Sequence, residues 1–126
     1  LLLREITVSP GSLAFGYQGE NAGPTPPETV TITNDGDGDL HISGVSLTGT
    51  DLFEFDVGSD TGETTLSPGA TRKIQISFDP SSEGAKSADL SITSDDSDES
   101  TVDVALSGTG VSSGWYLFLP LVVNDD

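Results

Sequence analysis

His41 is the one histidine in 126 residues, and there is no cysteine. A single imidazole without thiolates cannot assemble a zinc site or a Cys/His nucleophile system from their ordinary ligands. Serines are plentiful, but His41 is the sole imidazole available to them as a base, so hydrolysis is not expected. Asn34 with Lys73 or Lys86 has the functional groups for an isopeptide crosslink, although alternation turns Lys73 away from the core side of its strand. The carboxylates hold the richer chemistry. Asp35, Asp37 and Asp39 recur at every second position with Gly36 and Gly38 between them, the spacing with which an EF-hand-like loop converges on a hard cation. A second run follows at Asp95, Asp96, Asp98 and Glu99. Calcium is the cofactor these runs would take, and no other is expected. Against calcium, the twelfth position counted from Asp35 is Ser46, where a bidentate glutamate belongs. An Asn-Asp-Gly turn also reverses a chain without any ion, so a solvated turn is the competing reading.

Four basic residues against 21 acidic ones leave a net charge of −17. Such a surface repels nucleic acid and anionic membranes, so no nucleic-acid partner is expected. The longest apolar run, Trp115 to Val123, is far shorter than the roughly 18 residues a membrane-spanning helix needs, so no transmembrane segment is expected. Few cations and abundant Gly, Ser, Thr and Asp are the habits of a secreted or cell-surface module.

The elements that would position these residues are strands. Short alternating runs come at regular intervals between Gly, Pro, Asp and Ser clusters, which predicts an all-β fold, and no stretch has helical periodicity. The first strand, from Glu5, breaks at Ser9-Pro10-Gly11 and resumes at Leu13 on the other sheet. Gln18 to Pro27 reads as a loop, Thr29 to Thr33 as a strand, and Leu40 to Leu47 as a strand with a bulge or bend at Gly44. Phe53 and Phe55 open a short strand before a polar loop from Gly58 to Glu63. Three further alternating runs end at Phe78, Ile92 and Leu106. The expected architecture is an immunoglobulin-like antiparallel β-sandwich of about seven strands. Its core would hold Val30, Ile32, Leu40, Ile42, Phe53, Phe55, Ile74, Ile76, Phe78, Leu90, Ile92, Val102, Val104 and Leu106.

Ile6 to Pro10, Leu13 to Gly16, Thr29 to Asn34, Leu40 to Gly49, Leu66 to Gly69, Ile76 to Pro80, Ala88 to Ser94 and Val104 to Gly110 together resemble one Hydin-like, choice-of-anchor D type immunoglobulin-like module. The resemblance runs in order over roughly residues 5 to 111. It implies a sandwich related to the major sperm protein fold, used in bacteria as a structural and interaction domain of surface proteins, with no catalytic residues to carry over.

Beyond it lies a different kind of sequence. As a strand, Trp115, Leu117, Leu119, Leu121 and Val123 would occupy one face and Tyr116, Phe118, Pro120 and Val122 the other, so both faces are apolar and both need covering. Tyr116 to Val122 also resembles short C-terminal tails of some bacterial surface proteins. The expected division is a sandwich over 1–111 and a Ser/Gly linker with an extra hydrophobic strand over 112–126, with Gly108 to Gly114 as a flexible exit. Two functions follow as expectations. One is a non-enzymatic extracellular subunit that forms a homo-oligomer, a filament or surface layer, by donating residues 115–123 to a second copy. The other is a cell-surface interaction module whose tail is a sorting or anchoring signal.

Overall fold

A computed structural model describes residues 2–112. Among these residues nine strands form two sheets: β1 (Ile6–Ser9), β2 (Ser12–Gly19), β3 (Glu28–Asn34), β4 (Leu40–Thr48), β5 (Phe55–Asp60), β6 (Thr65–Leu66), β7 (Thr71–Phe78), β8 (Gly84–Ser94) and β9 (Thr101–Val111). One sheet has the order β1-β3-β7-β5 and the other β2-β9-β8-β4-β6. β1 and β2 are the two halves of the interrupted first strand, and β6 is a two-residue addition, which reconciles nine with the seven expected. Changing sheets at Pro10 lets one continuous stretch close that side of the sandwich. It also makes β2 pair with β9 in parallel, Ser12 opposite Ala105 and Leu13 opposite Leu106, so the sheets are not wholly antiparallel.

Alternation does the packing. Val30 and Ile32 from β3, Ile74, Ile76 and Phe78 from β7, Leu90 and Ile92 from β8, and Val104 and Leu106 from β9 all point between the sheets and are buried. Phe15, Phe55 and Phe78 form an aromatic cluster with ring centroids 5.0 to 6.1 Å apart. Gly44 marks a register shift against β8, after which Val45 and Leu47 take over the inward positions from Leu40 and Ile42. Ile6, Leu13, Leu66 and Ala88 complete the buried core, with Val102 half-buried against it.

Phe53 is not part of that core. It lies in a 3-10 turn, Leu52–Glu54, and is 90% exposed. A 3-10 turn has a period of three, so Phe53 and Phe55 do not share a face as they would in a strand. Asp51 holds the turn in place, its backbone N–H donating to Ser87 O at 3.0 Å and its carboxylate accepting from Ser87 N at 2.9 Å.

Three boundaries also move. β5 continues through Gly58, Ser59 and Asp60 because a bulge between Val57 and Ser59 keeps it paired with β7. β2 runs on to Gly19, and the loop after it is tied down at Thr25, whose Oγ1 accepts from Phe78 N at 3.0 Å and whose N–H donates to Phe78 O at 2.9 Å. β9 continues through Gly108 and Gly110 to Val111. Those glycines are sites of close approach, not of flexibility. A Cβ on Gly108 would lie 2.5 Å from the Phe78 ring, and one on Gly110 would lie 2.1 Å from Ser82 O.

Candidate functional site

Both acidic runs fall at one pole of the sandwich. The turn between β3 and β4 carries Asp35, Asp37 and Asp39; the turn between β8 and β9 carries Asp95, Asp96, Asp98 and Glu99. Residues 3–6 run between them, and backbone bonds account for much of what the carboxylates do. Asp37 Oδ1 accepts from Leu3 N, Asp35 Oδ2 accepts from Thr7 Oγ1, and Leu3 O accepts from Asp37 N and Gly38 N at 3.0 and 2.9 Å. Gly36 is required because a Cβ there would sit 2.2 Å from Leu3 O. Asn34 is fully buried, donating to Gly38 O and Leu66 O at 2.8 Å each and accepting from Gly36 N at 2.9 Å. Its amide is therefore committed to the turn, while Lys86 bonds Ser82 Oγ at 2.7 Å and lies 3.9 Å from Glu54.

The second run divides. Asp95 turns to His41: its Oδ1 accepts from His41 N at 2.9 Å, its Oδ2 lies 2.8 Å from His41 Nδ1, and Arg4 Nε is 3.2 Å from the same oxygen. Desolvation pushes the Asp95 carboxyl upward, but the bonds from His41 and the nearby charge of Arg4 outweigh it and hold the group below its ordinary value. Asp96 turns inward, only 1% exposed, and accepts from Ile6 N at 3.0 Å, Asp98 N at 2.9 Å and Glu99 N at 3.3 Å. It clips the β8–β9 turn to β1.

Among the described residues, Glu5, Asp96 and Asp98 form the acidic group whose ligand atoms converge within 4.8 Å of one another. Desolvation, and then the charges of Asp96, Glu99 and Asp98, push Glu5 above the ordinary carboxylate value. Glu5 joins through tertiary structure alone: nothing local places it beside a turn ninety residues away. Its only sequence signal is that it precedes the first inward residue, Ile6.

At the opposite pole β9 ends at Val111 beside the exposed Tyr17, and Tyr17, Glu83, Gly110, Val111 and Ser112 line a shallow pocket of about 300 Å³. Trp115, Tyr116, Leu117, Phe118, Leu119, Leu121, Val122 and Val123, expected as an assembly strand, lie outside the described residues. Among the described residues no helix is long and apolar enough to cross a membrane.

Residues 19–109 match the family model for the HYDIN/CFA65/VesB-like, Ig-like domain. No curated protein matches the sequence. Among solved structures, a protein of unknown function from Porphyromonas gingivalis W83 superposes with a TM-score of 0.66 at 18% identity, over 86% of this chain and 46% of that one. The secreted serine protease VesC from Vibrio cholerae gives 0.61 at 16% identity, over 94% and 25%. WR4, a C. elegans major sperm protein family member, gives 0.52 at 14% identity, over 82% and 97%. The chain thus spans less than half the length of the first two, and these likenesses concern the fold.

Proposed function

Because this chain belongs to the HYDIN/CFA65/VesB-like Ig-like domain family, we propose that it is a non-enzymatic building block of a secreted or cell-surface protein, self-assembling by addition of residues 115–123 to a second copy. One observation carries this reading. The sandwich already has its two sheets and a continuous core by Val111, so the doubly apolar stretch beyond is surplus to it. An apolar strand with two uncovered faces is stabilised by joining another sheet, which turns one of those faces to that sheet's core, and a head-to-tail joint that does not close generates a filament or layer. Non-enzymatic character is supported by the single imidazole, which is engaged with the Asp95 carboxylate.

The second reading, a surface module whose tail is a sorting or anchoring signal, is favoured by the resemblance of Tyr116 to Val122 to short C-terminal tails of some bacterial surface proteins. Deletion separates the two. Removing residues 115–126 should leave a cooperatively melting monomer and abolish the assemblies that the full chain forms, as read by electron microscopy and light scattering. A truncated chain that still assembles, or a full chain that stays monomeric at every concentration, overturns self-assembly by the tail.

A further inference from the structure

The two sides of the sandwich differ. On one, β1 and β2 are a single stretch spanning both sheets. On the other, β5 ends one sheet, and β6 covers only the start of β4, pairing Leu40 with Leu66 and His41 with Thr65. From Ser43 to Thr48 no described residue pairs with the outer edge of β4. The inward side chains along that seam are incompletely covered: Val45, Leu47 and Leu52 are half-buried, and Val57 on β5 is 37% exposed. β4 keeps a regular register with β8 from Gly44 to Thr48. β4 has its own register shift between Ile42 and Gly44, at one end of the seam, whereas those of β2, between Ala14 and Tyr17, and β5, between Val57 and Ser59, fall within the length an added strand would use, where a bulge discourages it.

We propose that the outer edge of β4, residues 43–48, receives the segment 115–123 of a second copy of this chain, laid in line with β6. This deepens the assembly reading and rests on it. Charge and chemistry match the occupant to the edge: neither residues 115–123 nor residues 43–48 carry a charge, so the joint itself sets no carboxylate against another, while the net charge of −17 on each copy opposes approach until salt screens it. Pro120 lacks an N–H, and in a strand it would share one lateral edge with Tyr116, Phe118 and Val122. That leaves Leu117, Leu119 and Leu121 to pair on the other edge, so the segment pairs on one side, as an edge addition requires.

Geometry selects a second copy over the same chain. Thr48 lies opposite Asp89, and Asp89 opposite Ala105, so Val111 is six residues, about 20 Å, beyond the near end of the seam. A strand outside β4 also lies three strand spacings, about 14 Å, from β9. Val111 is therefore about 24 Å from the seam, whereas the four steps to Trp115 span at most about 14 Å. A chain folding back on itself would use up about a third of its apolar stretch before pairing began.

The sequence has no cysteine, which makes crosslinking in the full chain free of background. Chains carrying Ser46→Cys on β4 are mixed with chains carrying Leu117→Cys, Phe118→Cys, Leu119→Cys or Leu121→Cys, with Ala14→Cys on β2 as the alternative edge. The expected result is a disulfide-linked heterodimer at Ser46→Cys for a subset of tail positions, at least tenfold above Ala14→Cys. In parallel Val57→Lys, which keeps a cooperative melt, should lower assembly at least tenfold. Tail-dependent assembly that crosslinks at Ala14→Cys and tolerates Val57→Lys overturns the β4 edge and leaves the assembly reading standing. A doubly substituted Ser46→Cys, Leu119→Cys chain that closes on itself at high dilution overturns the second copy. Absence of any tail-dependent assembly in the unsubstituted chain overturns both.

Discussion

At the scale of single residues, Arg72 and Asp60 form a bidentate ion pair. Arg72 Nε and Nη2 each reach one Asp60 oxygen at 2.8 Å, a bidentate bond, and Nη1 donates to Glu63 O at 3.0 Å. The side chains are 11% and 25% exposed, so solvent screens the pair only in part. The Arg72 bond holds the Asp60 carboxyl below its ordinary value. A depressed folded value means that its stabilisation is complete above the unfolded carboxylate value of about 4 and is lost as pH falls through the folded one. Asp60→Asn should therefore cost about 1–2 kcal/mol at neutral pH, the lower part of the range for bonds to charged groups because of partial exposure. Urea midpoints of the two proteins taken from pH 7 down to pH 2 should converge on the acid side. A gap of constant size would show that Asp60 acts by packing alone.

Among the elements, β9 is the one whose sequence is most easily misjudged. Gly108-Thr109-Gly110 has the composition of a flexible exit, yet both glycines are buried inside a strand that runs to Val111. The Phe78 ring packs over Gly108, and the loop after β7 brings Ser82 O against Gly110. Gly110→Ala should cost about 1–3 kcal/mol, the usual penalty for overpacking a filled interior, and urea denaturation measures it. An unchanged midpoint would mean that the loop at Ser82 moves aside freely. The consequence is that β9 continues to Val111, so fewer residues separate it from Trp115 than the composition suggests, which is the distance the proposed β4 joint turns on.

For the whole molecule, the net charge of −17 opposes both compaction and association. Raising ionic strength from about 0.01 to 0.15 M shortens the screening length from about 30 to 8 Å, so melting temperature and assembly should both rise over that range. Calcium and magnesium should each stabilise the chain beyond sodium at equal ionic strength. A calcium increment above that of magnesium, removed by Asp98→Asn, would assign coordination to the group of Glu5, Asp96 and Asp98; equal increments leave the acidic pole a charge cluster. Melts in the three salts decide this, and assembly that falls as salt rises would refute the electrostatic account.

The sequence alone determined the sheet chemistry. Alternation is set by the two-residue period of an extended backbone, so Val30, Ile32, Ile74, Ile76, Leu90 and Leu106 were legible as inward residues without knowing which strands pair. The punctuation at Pro10 and the bend at Gly44 were legible for the same local reason, since proline cannot donate to a ladder and glycine lacks a side chain. Tertiary structure decided whatever depends on partners far apart in the chain. Phe53 leaves the core because Ser87 holds Asp51 in a turn, and Gly108 and Gly110 stay in a strand because Phe78 and Ser82 fill the space beside them. Asp96 is separated from its neighbour Asp95 because Ile6, ninety residues earlier, offers it an N–H. Side-chain period is a property of the backbone at one position, whereas close approach and charge convergence belong to pairs of positions that only the closed sandwich brings together.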